Sequence, residues 1–229
     1  MIITIDGPAG SGKSTLSINL AKHLGFFCLN SGYLYRGLAY VLKTYYSYSD
    51  EMLCNPVDQD VQACLQENSL RYEYKNGLVC IFWGDVDITQ FLKQVVIGQA
   101  AATIAQNDQV RKLIQRYEHD LVDNKDAVIE GRSGGSTNFS YAQLKLFITA
   151  SAKVRAERMV HDQRLLKNKI TVEQALEFVL NRDQKDMERK HDPLVIPKDA
   201  IIIDTSELTQ KQVLDKIIDM VQKIIKLQK

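Results

Sequence analysis

Short apolar runs alternate along this chain with stretches in which apolar residues recur every three or four positions. The first run, Met1-Ile2-Ile3-Thr4-Ile5, has the pattern of a buried strand, and Leu16, Ile18, Leu20, Ala21 and Leu24 follow it at helical spacing. Read in the same way, the chain has strands at 2–5, 26–29, 127–130, 144–149 and 200–204, with helices in the intervals. Each helix carries the chain back to the end of the sheet where the previous strand began. The alternation therefore predicts a mainly parallel five-stranded sheet covered on both faces. At the far end Thr209 and Gln212 form a capping box, and Leu214, Ile217, Val221, Ile224 and Ile225 make the stripe of a last helix.

One stretch departs from the rhythm. From Pro56 to Phe91 the pattern gives a short helix, then Leu70–Tyr74, Lys75-Asn76-Gly77 and Leu78–Trp83. Asn-Gly between two β-rich runs predicts a hairpin, because a type I′ turn needs positive φ at both central residues. Residues 56–96 are expected to be an inserted subdomain with a small antiparallel sheet, set into a core of 1–55 and 97–229. Phe82 and Trp83 are read as packing for that sheet.

The chemistry starts at the first strand's end. Gly7-Pro8-Ala9-Gly10-Ser11-Gly12-Lys13-Ser14-Thr15 fits G-x-x-x-x-G-K-[ST] directly between strand and helix. Glycines allow successive backbone N–H groups to face an anion, and the helix N-terminus adds positive potential. Lys13 would reach the terminal phosphates and Ser14 would ligate Mg²⁺, so the chain is expected to bind a nucleoside triphosphate. The expected fold is a P-loop NTPase three-layer α/β fold with a small antiparallel β insertion and a helical lid at about 158–171.

Charge narrows the partners. Lys and Arg number 29 against 28 Asp and Glu, a formal net charge of +1 with no basic field, so neither a nucleic acid nor an anionic membrane is expected as partner. No apolar stretch approaches a membrane span, and no secretion signal is read at the N-terminus. Cys28, Cys54, Cys64 and Cys80 lack C-x-x-C spacing and read as reduced thiols; His23, His119, His161 and His191 form no ligand-like pair. A cytoplasmic enzyme is the expectation.

Three further clusters could carry phosphate chemistry. After the second strand, Asn30-Ser31-Gly32-Tyr33-Leu34-Tyr35-Arg36 reads as a polar, glycine-containing turn opening a helix. Arg36 there is either a second phosphate ligand, since a guanidinium binds two oxygens at once, or a surface arginine. Strand three closes on Glu130-Gly131-Arg132, which offers a metal-side carboxylate and a substrate-side cation, or a strand-end salt bridge from Glu130 to a lysine. The helix begun by the Thr171–Gln174 capping box places Arg182, Asp186 and Arg189 on one face. That face is either solvated and salt-bridged, or it stabilises transferring phosphate while Asp186 orients the arginines or holds a sugar hydroxyl. Arg155, Arg158, Arg164, Lys167 and Lys169 lie on a helix and on the loop 165–170, placed to close over ATP.

With these clusters in order the chain resembles the bacterial-type cytidylate (CMP/dCMP) kinases of the nucleoside monophosphate kinase family. The resemblance runs from Met1 to the last helix, including the inserted sheet. It rests on I-D-G-P-A-G-S-G-K-S-T, S-G-Y-L-Y-R, Gly84-Asp85-Val86-Asp87-Ile88, Val110-Arg111, E-G-R, R-D-x-x-D-x-x-R with Asp192-Pro193-Leu194, and Ile203-Asp204-Thr205-Ser206. It implies phosphoryl transfer from ATP to CMP or dCMP with Mg²⁺, by a monomer. Lys13, Arg132, Arg182 and Arg189 would be catalytic; residues 7–15 with Arg155 and Arg158 would bind ATP; Ser14 and Glu130 would hold the metal. The acceptor would be met by Ser31, Tyr35, Arg36, Ala102, Thr103, Arg111, Arg132, Ser133, Arg182 and Asp186.

The chain departs from the family at Asn30 and Ser133, where the family has aspartates, and at Ala102, where it has a serine next to which this chain carries Thr103. Ser133 and Ala102 fall on base-reading positions, which leaves room for an altered nucleotide acceptor or for a non-catalytic ATP-binding regulator. A GTPase is disfavoured. Asn124-Lys125-Asp126-Ala127 has alanine where guanine reading needs aspartate, and it precedes strand three.

Overall fold

A computed structural model describes residues 1–66, 69–164 and 170–227. In chain order they form β1 (Ile2–Asp6), α1 (Lys13–Leu24), β2 (Phe27–Asn30), α2 (Ser31–Thr44), α3 (Asp58–Leu65), β3 (Leu70–Lys75), β4 (Leu78–Trp83) and β5 (Val86–Asp87). There follow α4 (Val95–Ile104), α5 (Asp108–Val122), β6 (Ala127–Glu130), β7 (Leu144–Thr149), α6 (Ala152–Arg164), α7 (Val172–Met187), β8 (Ile201–Asp204) and α8 (Gln210–Leu227). One sheet has five strands in the order β2-β6-β1-β7-β8, the other three in the order β3-β4-β5. The strands stand within a residue or two of their sequence-based positions. The chain divides into two compact units, Met1–Leu24 with Val128–Lys229, and Gly25–Ala127.

In the first unit β1 pairs in parallel with β7, and β7 with β8. All five residues of β1 are buried, so the strand shows no alternation of buried and exposed positions. Helices α6 and α7 pack through Ala156, Val160, Ala175 and Val179, with Met159, Val172, Leu176 and Phe178 at the margin. The Thr171–Gln174 capping box starts α7 as expected. The stripe of α8 is turned slightly from the expected one. Val213, Ile217, Ile218 and Val221 are buried, while Leu214, Ile224 and Ile225 are half-buried along its edge.

In the second unit the hairpin forms as the Asn-Gly turn requires, with φ 55° at Asn76 and 78° at Gly77. Its register pairs Lys75 with Leu78 and Leu70 with Trp83, and the short β5 extends the sheet. Trp83 packs against Tyr45 and Tyr46, and the Arg71 guanidinium lies over the Phe82 ring. Residues Asn30-Gly32 differ from the reading as a turn. Asn30 is the N-cap of α2, its side-chain oxygen accepting from Tyr33 N–H at 3.3 Å, and Ser31 and Gly32 are already helical. Asparagine caps a helix as well as aspartate does, which is why no glycine-bearing turn is needed here. Residues 165–169, the centre of the expected lid with Lys167 and Lys169, lie outside the described residues.

Candidate active site

The first unit gathers Lys13, Ser14, Glu130, Arg132, Arg182, Asp186 and Arg189. The loop after β1 begins in close quarters: Gly7 has φ 143°, and a Cβ there would stand 2.0 Å from the Ile148 carbonyl oxygen of β7. Only glycine lets the chain turn at that point. Helix α1 then starts at Lys13, leaving its first N–H groups free for an anion. The Lys13 side chain is 3% exposed and folds back on its own loop, donating to Pro8 O at 2.6 Å and Ser11 Oγ at 3.2 Å. Its Nζ stands 4.0 Å from Glu130 Oε1. Burial, helped by the neighbouring Arg132 charge, pushes Lys13 down to about 7 against the opposing pull of Glu130, Asp6 and Asp186.

Glu130, at the end of β6, joins the loop to the arginines. It accepts from Ser14 Oγ at 3.1 Å through Oε2, and Arg132 Nη1 reaches its Oε1 at 3.5 Å. Arg132 also donates through Nε to Asp186 Oδ2 at 3.1 Å. Arg182 Nε meets the same oxygen at 3.2 Å, and Arg189 Nη1 stands 3.6 Å from Asp186 Oδ1. Three guanidiniums thus converge on one carboxylate that is 1% exposed. Burial alone would push Asp186 up, but Arg132, Arg182 and Arg189 together outweigh it and hold the carboxyl below its ordinary value.

One part of the sequence reading needs correction. Arg189 is not on the helix: α7 ends at Met187, Glu188 is its C-cap, and the chain turns back. Arg189 reaches Asp186 because its guanidinium is held by the Asp192 carbonyl and because Leu194 N–H donates to Asp186 O at 2.8 Å. Lys-His-Asp-Pro after the last helical turn is the signal that could have shown this break. The face is salt-bridged, but buried rather than solvated.

Two carboxylates of this unit were given no role from the sequence. Asp6 closes β1 and accepts N–H bonds from Gly134 at 2.9 Å and Gly135 at 2.7 Å, fixing the turn that follows Ser133. Burial raises its carboxyl pKa, and those two N–H bonds and Lys13 oppose the rise. An acid as the last residue of a fully buried strand was the available signal. Asp183, beside Arg182, ties Arg155 to the phosphate loop. Arg155 itself bonds Ala150 O at 3.0 Å and Ala9 O at 2.9 Å, whereas Arg158 bonds the Thr205 carbonyl at 2.6 Å and its Oγ1 at 3.0 Å.

In the second unit, Arg36 Nη1 donates to Leu92 O at 2.6 Å and its guanidinium lies over Gly98, where a Cβ would be 3.0 Å away. The Arg111 guanidinium faces the Tyr35 ring at 5.9 Å. Ala102 is buried on α4, and the Thr103 hydroxyl donates to Gln99 O at 3.3 Å within its own helix. Ser31 opens α2. Ser133 is buried in the first unit, ahead of a wide turn over Gly134–Asn138.

A family model described as "Cytidylate kinase" matches residues 3–223. The chain belongs to the cytidylate kinase family. Among curated members, a cytidylate kinase of Thermodesulfovibrio yellowstonii is 34% identical over 96% of this chain and 97% of its own length. One from Chlamydia pneumoniae is 38% identical over 95% and 96%, and one from Thermotoga maritima 34% identical over 96% of both chains. A solved structure of an uncharacterized protein from Eubacterium ventriosum covers 97% of this chain and 98% of its own at TM-score 0.54, with 14% identity, a likeness of fold alone. The cytidylate kinase match spans both units.

Proposed function

We propose that this chain transfers the terminal phosphoryl group of ATP to CMP or dCMP, giving ADP and the nucleoside diphosphate by direct in-line displacement. One observation carries the reading. Glu130 contacts Ser14 and Arg132 and lies 4.0 Å from Lys13, so the triphosphate loop and the Asp186-held guanidiniums adjoin. Phosphoryl transfer needs little covalent help. It needs charge stabilisation where three equatorial oxygens become negative, and alignment of attacking and leaving oxygens. An acceptor phosphate oxygen attacks the terminal phosphorus, the bond to the bridging oxygen of ADP breaks, and Lys13, Arg132, Arg182 and Arg189 balance the charge in flight.

The Ser14 hydroxyl and Glu130 carboxylate, oxygen donors 3.1 Å apart, fit the hard-cation preference of Mg²⁺. Ser14 and Glu130 would hold the ion, which would supply neutralising charge for the triphosphate. The rest of loop 7–15 and Arg158 are assigned to ATP, with Arg155 supporting the loop. Ser31, Tyr35, Arg36, Ala102, Thr103, Arg111 and Ser133 are assigned to the acceptor. The near-neutral chain, at +1, supports small-molecule nucleotides as partners, and we take the enzyme as a cytoplasmic monomer. No described helix is long and apolar enough to cross a membrane.

A coupled ADP-release assay with Mg-ATP and CMP, dCMP, UMP, dUMP, AMP, GMP or dTMP tests the reading. Turnover above about 1 s⁻¹ with CMP or dCMP is expected, the low end for kinases. Turnover with another monophosphate alone would overturn the acceptor assignment, and silence with ATP bound would overturn the kinase. Ser133→Asp should raise kcat/KM for CMP about tenfold or more, the value of one charged hydrogen bond. No gain would remove Ser133 from base reading.

A further inference from the structure

Asp183 is buried and has no part in the proposed transfer, and its two oxygens have specific partners. Oδ1 accepts the Ala9 N–H at 3.0 Å, and Oδ2 accepts from Arg155 Nη1 at 2.5 Å. The same Arg155 nitrogen donates to Ala9 O at 2.9 Å, closing a ring of three bonds around one residue of the phosphate loop. Ala9, Asp183 and Arg155 are all buried. The next residue, Gly10, has φ 75° and rests against Arg155's own backbone, where an added Cβ would stand 3.1 Å from the carbonyl oxygen. Ala9 N–H therefore points at Asp183 rather than toward the anion, and the first half of the loop takes its path from α6 and α7.

The spacing along α7 gives this arrangement a consequence. Asp183 and Asp186 are three residues apart on one helix; the first holds the ATP loop, the second the three arginines. We propose that Asp183, acting through Ala9 and Arg155, is a positioning residue that sets the shape of the ATP-binding loop, and so governs the handling of ATP and not of the acceptor. The proposal rests on the phosphotransfer reading for its kinetic arm alone, since ATP binding is measurable without any acceptor.

Three variants test it, Asp183→Ala, Asp183→Asn and the double replacement Arg155→Met with Asp183→Leu. ATP binding is read by calorimetry, KM for ATP and for CMP by turnover, and folding by thermal midpoint. A loop displaced by a fraction of an ångström is expected to lose about tenfold or more in ATP affinity in Asp183→Ala. KM for CMP should stay within about twofold, because uniform binding of the acceptor is untouched. Asp183→Asn, which keeps an acceptor for Ala9 N–H but loses the charge facing Arg155, should fall between.

The double variant separates positioning from folding. Two apolar side chains in place of the buried pair should restore the midpoint lost in Asp183→Ala while ATP binding stays weak. Recovery of ATP affinity together with the midpoint would make Asp183 structural only and overturn the proposal. Equal weakening of ATP and CMP would do the same. Should the wild-type chain bind ATP and turn over no acceptor, the kinase reading fails and the binding arm still decides the role of Asp183.

Discussion

Lys13→Met lowers kcat by about 10³-fold or more, the loss expected when a preorganised cation is removed from a transferring phosphate. The fold should not suffer. Lys13 is buried with its pKa brought down to about 7, which costs the folded state stability, fully below about pH 7 and progressively less from there up to the unfolded lysine value. Methionine removes that cost at nearly the same volume, and the thermal midpoint should hold or rise near neutral pH. The pH dependence of ATP binding gives the sign. A bound triphosphate raises the pKa of Lys13, so the complex keeps a proton that the free protein loses as pH rises through 7. ATP affinity should therefore fall by up to about tenfold per pH unit above 7, with proton uptake on binding, until the pKa of the complex is reached. Calorimetry across pH 6–9, with Lys13→Met subtracting the nucleotide's own titration, measures it. An equal slope in both proteins would show that Lys13 does not titrate at the triphosphate.

Much of this was legible in the sequence because it is local. Five strands, the Asn-Gly hairpin, the phosphate loop and the capping box at Thr171 are written in residues a few positions apart. The pairing of groups far apart in the chain was not. Nothing in the spacing joins Ala9 to Asp183 across 174 positions, or tells which carboxylate of α7 faces the loop. The reading of Arg182, Asp186 and Arg189 as one helical face gave the right companions by the wrong geometry, because a helical projection continues past the residue where the chain turns back. Thr103 shows a different limit. It follows the changed Ala102 in the sequence, yet its hydroxyl is taken by its own helix, a choice between backbone and ligand that sequence does not record. The alternative reading of Glu130 as a strand-end salt bridge also holds, and its lysine is the one in the loop after β1, Lys13, at 4.0 Å.

Asp186→Asn should be the most damaging change that keeps the shape of a side chain. The carboxylate is the shared counter-charge of Arg132, Arg182 and Arg189, at 3.1, 3.2 and 3.6 Å. Removing one partner from a buried ionic cluster leaves the others uncompensated, which costs about 3–5 kcal/mol of stability. Repulsion then spreads the guanidiniums, and a group displaced by an ångström loses its alignment with the transferring phosphoryl, so kcat should fall about 10²–10³-fold. The gap in thermal midpoint should stay constant from neutral pH down to the usual carboxylate range. Asp186 titrates below its unfolded value, so its stabilisation is complete above that value and is lost only as pH falls through the lower folded one. An anion can take the missing charge's place. Phosphate or sulfate should raise the midpoint of Asp186→Asn more than that of the wild type, since the three arginines would then close on the added oxyanion. If the variant keeps its midpoint and gains nothing from phosphate, Asp186 does not hold the arginines together, and their convergence must come from the turn at Asp192 and the strand end at Glu130 alone.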